Sequence, residues 1–141
     1  MNVQKVMNKE VPICRPYDPV DSVLRKMMDR SLQSLPVVDR HGRLVGVVTA
    51  EAARSAVRRW SGASHAMPVE TVMTRRAPSC RPSDTLSDAE TTLEHYGADS
   101  IPVIDDDGNF LGLLFAADAP FTAALRAAAA KKLPAAVLRA A

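Results

Sequence analysis

The sequence predicts an α/β (α+β) fold built from two β-α-β-β-α repeats. Three observations predict it. The chain matches itself without a gap at an offset of 66 positions, Met73 falling on Met7. The matched positions include Gly, Pro and Asp, residues that fix backbone geometry, so a shared register implies a shared fold. Each half also shows the same succession of a 3.6-residue apolar stripe and two short apolar runs around a glycine turn.

The matches run the length of the repeat. Val6-Met7 falls on Val72-Met73, Cys14-Arg15-Pro16 on Cys80-Arg81-Pro82, and Asp18 on Asp84. Ser34, Pro36, Val37, Asp39, Gly42 and Gly46 fall on Ser100, Pro102, Val103, Asp105, Gly108 and Gly112. A short strand is expected first, over Val11–Cys14 and Ala77–Cys80. Asp18 or Asp84 then stands where a helix N-cap belongs, with Pro19 suited to the first helical position. The first helix carries Val20, Val23, Leu24, Met27 and Met28 on one face, and its counterpart Leu86, Ala89, Leu93 and Tyr96. The apolar runs Leu35–Val38 and Ile101–Ile104 pair with Leu44–Thr49 and Phe110–Phe115 as hairpins through Gly42 or Gly108. A closing helix follows, near 50–59 and 118–130. These elements give a first motif over 1–60, a linker over 61–71, a second motif over 72–130 and a tail over 131–141. Nearly continuous apolar strands imply two covered faces, so the halves are expected to pack against each other with pseudo-two-fold symmetry.

Composition narrows the function classes. The 141 residues are 47% hydrophobic and 4% aromatic, so aliphatic side chains must fill the core. A net charge of +2 argues against a strongly electrostatic nucleic-acid binder. No apolar run is long enough for a transmembrane helix, and the opening residues lack an apolar signal core, so a cytoplasmic protein is expected. Two cysteines exclude a disulfide-rich scaffold. Cys14 and Cys80 read as buried free thiols, although equivalent positions could also bring them together. His41, His65 and His95 are too scattered for a metal site. Asp105-Asp106-Asp107-Gly108-Asn109 reads as an acidic hairpin turn rather than a calcium loop, because an EF-hand frame would start at Val103. Arg54, Arg58 and Arg59 with Trp60 read as a solvated helix end, with contact to an acidic partner or phosphate the alternative. No nucleophile stands with a base, and no enzymatic activity is expected.

Leu35-Pro36-Val37-Val38-Asp39-x-x-Gly42-x-Leu44-Val45-Gly46-Val47-Val48-Thr49 resembles the CBS (cystathionine β-synthase) motif. Ile101-Pro102-Val103-Ile104-Asp105 through Gly112 repeats it, and Val6-Met7 and Val72-Met73 resemble its opening. The resemblance covers about residues 3 to 125. It implies a tandem CBS pair, its two motifs packed through their sheets, that binds an adenosyl compound such as AMP, ADP, ATP or S-adenosylmethionine, with no required cofactor. It implies homodimers formed through helices and signalling to a protein partner, with no nucleic acid and no membrane. The alternative is a ligand-free interaction module with degenerate clefts.

The family's ligand signal, Gly-x-x-Ser/Thr-x-x-Asp, is split between the repeats. Gly46-Val47-Val48-Thr49-Ala50-Glu51-Ala52 keeps the hydroxyl and loses the acid. Gly112-Leu113-Leu114-Phe115-Ala116-Ala117-Asp118 keeps the acid, and Phe115 replaces the hydroxyl. The resemblance makes Asp118 the ribose acid of one cleft, with Phe115 beside it and Met7, Val11, Pro12, Leu32 and Gln33 on its other wall. The second cleft has Thr49 and Ala52 faced by Ala77, Pro78, Ala98 and Asp99, whose charge opposes a phosphate. Asp118 could instead cap a helix start at Ala119-Pro120-Phe121. Phe115 could stack on a base or fill the core.

Overall fold

In a computed structural model the structure describes residues 2–116. The expected helix over 118–130 and the tail lie outside them. The chain forms two compact units, Pro12–Ala77 and Met1–Val11 with Pro78–Ala141. Compactness therefore groups the chain differently from the repeat boundaries: residues 1–11 belong with the body of the second repeat.

In the Pro12–Ala77 unit, α1 (Val20–Asp29) leads to an antiparallel hairpin, β1 (Ser34–Val38) and β2 (Leu44–Thr49), and then to α2 (Ala50–Arg59). Register is Ser34 to Thr49 through Val37 to Gly46, with a bulge between Val37 and Val38. The turn is closed by Asp39, whose carboxylate accepts the His41 and Arg43 N–H groups, while Gly42 takes φ +84°. Val20, Val23, Leu24 and Met27 of α1 pack with Leu35, Val37, Val48, Ala50 and Ala53 into one core. Met28, expected on the buried stripe, is 61% exposed. The buried face of α1 is Val20, Val23, Leu24 and Met27, narrower than the apolar stripe, and Ser31 then turns the chain with φ 55°.

The other unit repeats the plan. α3 (Leu86–Tyr96) precedes β3 (Ser100–Ile104) and β4 (Phe110–Phe115), in register from Ser100–Phe115 to Val103–Gly112. Leu86, Ala89, Leu93, Ile101, Val103 and Leu114 form its core. Tyr96, the last residue of α3, is exposed rather than buried. Gly97 follows it in the left-handed conformation, the position that Ser31 holds in the other unit.

Three local expectations are corrected. The strands over Val11–Cys14 and Ala77–Cys80 shrink to one-residue parallel bridges, Cys14 to Val37 and Cys80 to Val103. The residues two away on either side are Pro12 and Pro16, or Pro78 and Pro82, and none has an N–H to extend the ladder. Asp18 and Asp84 do not cap helices. Each turns back to accept the N–H of Arg15 or Arg81 at 2.8 Å. The helices begin one residue later, so Pro19 stands at the N-cap of α1, while Thr85 caps α3 by accepting the Asp88 N–H.

The end of the expected linker is core. Val69 is fully buried, in a single helical turn over Val69–Thr71. Its N–H donates to the Asp18 carbonyl at 2.8 Å, and Thr74 exchanges backbone hydrogen bonds with Val47 of β2. In the other unit Val3 is fully buried in the turn Val3–Lys5, its N–H donates to Asp84, and Asn8 exchanges bonds with Leu113 of β4. Each hairpin thus gains partners on both edges. Gly46 and Gly112 permit this: a Cβ would stand 2.8 Å from the Thr74 carbonyl oxygen at Gly46, and 2.5 Å from that of Asn8 at Gly112.

Candidate ligand site

The hydroxyl predicted to meet a phosphate has a structural task. Thr49 ends β2 and is the N-cap of α2, its Oγ1 accepting the Ala52 N–H at 3.1 Å. Thr49 is exposed and Ala52 half-buried. The Ala50 N–H is taken by the Gln33 carbonyl at 2.8 Å, so two of the amides that open α2 are already engaged. Ala52 supplies no acid. A ribose in this position would lack the bidentate acceptor that a short carboxylate provides.

The equivalent turn of the other unit is built by the same backbone device. Ala116 N–H donates to the Asp99 carbonyl at 2.9 Å. Asp99 is buried. Phe115 closes β4 opposite Ser100 and is 7% exposed, so its ring lies mainly in the interior. Asp118 lies outside the described residues, and so does the start of the helix it was expected either to cap or to leave free.

The remaining predicted residues are distributed between the units. Met7 packs on the core containing Val3, and Val11 closes the same segment. Ala98 packs on that core too. Leu32 packs on the core containing Val20, with Gln33 next to it and Pro12 opening that unit. Ala77 and Pro78 stand on either side of the second crossing from unit to unit.

Both cysteines are buried and free. Burial pushes the Cys14 thiol up to about 12, with the Asp18 charge adding to it and Lys26 opposing it. Cys80 is pushed up to about 12 by burial and then by Asp84. A thiol so placed stays protonated near neutrality and is a poor nucleophile or metal ligand. Among the described residues, no group of three or more His, Cys, Asp or Glu is placed to hold a metal. The acidic turn uses its own lead carboxylate: Asp105 accepts from the Asp107 N–H and from both the N–H and the Nδ2 of Asn109. No helix of the described residues is long and apolar enough to cross a membrane.

Sequence reasoning missed one surface feature. Ala52, Ser55, Ala56, Arg59, Trp60 and Val72 line an open hollow of about 260 Å³ within the Pro12–Ala77 unit. The helical spacing of Ala52, Ala56 and Arg59 beside Trp60 was its only trace in the sequence. Its volume falls just below the roughly 300–1,000 Å³ usual for small-molecule pockets.

The family model of the CBS domain matches this chain twice, over residues 3–59 and 69–119. The chain belongs to the CBS-domain family. CBSX2 of Arabidopsis thaliana, solved in complex with AMP, superposes with a TM-score of 0.72 at 25% identity, over 94% of this chain and 98% of that one. The CBS pair of protein MJ0100, solved with 5-methylthioadenosine and S-adenosyl-L-methionine, matches at 20% identity and TM-score 0.66, over 84% and 91% of the two chains. That likeness concerns the fold. The homoserine O-acetyltransferase of Methanococcoides burtonii is 28% identical over 117 residues, 83% of this chain and 23% of that protein. The chain thus spans under a quarter of that relative's length. Both motif matches begin at the buried valine of a helical turn, Val3 or Val69.

Proposed function

We propose that this CBS pair is a regulatory, non-catalytic module of the cytoplasm that takes an adenosyl nucleotide and signals the bound state to a protein partner. Asp118 is the ribose-binding acid, with Met7, Val11, Pro12, Leu32, Gln33 and Phe115 completing the ligand residues. The observation that carries the reading is the likeness to CBSX2 over nearly the whole of both chains, one of whose structures holds AMP. AMP, ADP, ATP and S-adenosylmethionine share the adenosyl group such a site reads. The Thr49–Ala52 position is the weaker half, because its hydroxyl caps α2 and its acid is missing. The module works as a homodimer through its helices, and binding shifts the balance between states that differ in ligand affinity.

A thermal-shift screen with AMP, ADP, ATP, S-adenosylmethionine and NAD tests this on wild type and Asp118→Ala. Ligand present at a hundred times its Kd stabilises by about 2.7 kcal/mol. A rise in Tm for wild type and none for the variant supports the reading. No rise with any compound overturns it in favour of the second reading, a ligand-free interaction module. The capped, acid-free Thr49–Ala52 turn is the observation that favours that alternative.

A further inference from the structure

Two arms of the chain fit two grooves by the same contacts. The first arm, residues 2–8, docks on the unit that contains α3, β3 and β4. The second, residues 68–74, docks on the unit that contains α1, β1 and β2. Val3 N–H donates to Asp84 at 2.9 Å, and Val69 N–H to Asp18 at 2.8 Å. Gln4 donates to Pro82, and Glu70 to Pro16, each at 3.0 Å. Asn8 and Leu113 exchange bonds of 2.7 and 2.9 Å, and Thr74 and Val47 bonds of 2.8 and 3.0 Å. Val3 and Val69 are both fully buried. Each groove floor is a glycine, Gly112 or Gly46, with no room for a Cβ.

Recognition repeated in this way belongs to the segment Val-x-x-Val-Met and to the groove, not to one covalent setting. The first arm is joined to the unit it docks on only through residues 12–77, which form the other unit. For that unit, holding residues 2–8 is a binding reaction with a tethered ligand, its strength set by an effective concentration. We propose that the groove formed by Pro82, Asp84, Gly112 and Leu113 is an exchangeable peptide site whose occupant in trans is residues 2–8 of a second copy of this chain. Such an exchange keeps every contact of the closed form and creates no unpaired strand edge, which makes swapping a low-cost route to association.

The test uses full-length chains. Val3→Asp places a charge at a fully buried position and disables the arm, leaving the groove intact. Gly112→Ala puts a Cβ against the Asn8 carbonyl and disables the groove, leaving the arm intact. A fluorescent peptide of residues 1–10 is expected to bind the Val3→Asp chain at least tenfold more tightly than wild type, whose groove is filled, or the doubly substituted chain, whose groove is blocked. Mixing the two single variants is expected to restore hydrogen-exchange protection of the Leu113 amide in the Val3→Asp chain. Equal peptide binding to all three chains, with no protection on mixing, overturns the proposal. Asn8→Pro, which removes the N–H donated to Leu113 and the side-chain oxygen that accepts the Glu10 N–H, is run in parallel. If Val3→Asp does not fold alone, the Asn8→Pro chain decides by the same two readouts. Neither readout depends on whether the chain also pairs through its helices or binds a nucleotide.

Discussion

Alkaline pH should destabilise this protein through its two thiols. Cys14 and Cys80 are 1% and 4% exposed, and burial first, then a neighbouring aspartate, pushes each from an ordinary value of 9.0 to about 12. The folded state therefore holds these protons more tightly than the unfolded state. The stability this contributes is complete below pH 9 and is lost as pH rises from about 9 towards 12. At pH 10 an unfolded thiol is about nine-tenths ionised, and the loss is about 1.4 kcal/mol per thiol, or about 3 kcal/mol for both. Lysines and tyrosines titrate in the same range, so the quantity to measure is a difference. Urea unfolding of wild type and of Cys14→Ala/Cys80→Ala, at pH 8 and pH 10, should show wild type losing about 3 kcal/mol more than the variant. Thiolate absorbance near 240 nm gives a direct check, with little signal from the folded chain at pH 10. A thiolate midpoint near 9 in the folded protein, or equal losses for the two chains, would refute the argument.

Three further outcomes follow from single positions. Ser31 has φ 55° where its counterpart Gly97 has φ 62°, so Ser31→Gly should stabilise by about 1 kcal/mol, read from the urea midpoint. Thr49→Ala removes the cap that accepts the Ala52 N–H and should cost about 1 kcal/mol, whereas Thr49→Asp should retain most of it. Asp39 is held below the ordinary carboxylate value of 3.8, first by the Arg43 N–H, and Asp105 first by the Asn109 side chain. Each therefore contributes stability above pH 3.8 that is lost as pH falls through its lower folded value. Carboxyl NMR titrations should place both midpoints below 3.8, and Asp39→Asn/Asp105→Asn should flatten the acid side of the stability profile.

The hairpins were legible because several local signals agreed. Apolar runs, a turn with Gly42 or Gly108, and an aspartate opening each turn gave β2 and β4 to the residue. The α2 range was legible too, since the second apolar run ends just before it and Arg58-Arg59 closes it, whereas the capping task of Thr49 was not. The misses come from hydrogen bonds that no periodicity announces, some local and some far along the chain. Asp18 looks like a cap until the Arg15 amide turns back to it. Val69 looks like linker until the Asp18 carbonyl, 51 residues earlier, takes its N–H (69 − 18). Proline counts twice, since Pro12 and Pro16 are compatible with an extended run yet cannot donate along one, and this reduced an expected strand to a single bridge.

The repeat also says where function must lie. Most positions the two halves share already have a structural task. Val3 and Val69 are arm residues, Gly46 and Gly112 admit the arms, Asp18 and Asp84 close turns, and Cys14 and Cys80 bridge to β1 and β3. A residue whose place is fixed by folding in both halves carries no information about a ligand. Four of the positions assigned to the clefts differ between the halves: Thr49 against Phe115, Ala52 against Asp118, Leu32 against Ala98, Gln33 against Asp99. Two of these pairs trade a polar group for an apolar one in opposite directions, so the hydroxyl and the acid never meet in one motif. The helix start with Thr49 as its cap is a structural turn, so under the proposed function the Asp118→Ala comparison is the one that tests nucleotide binding.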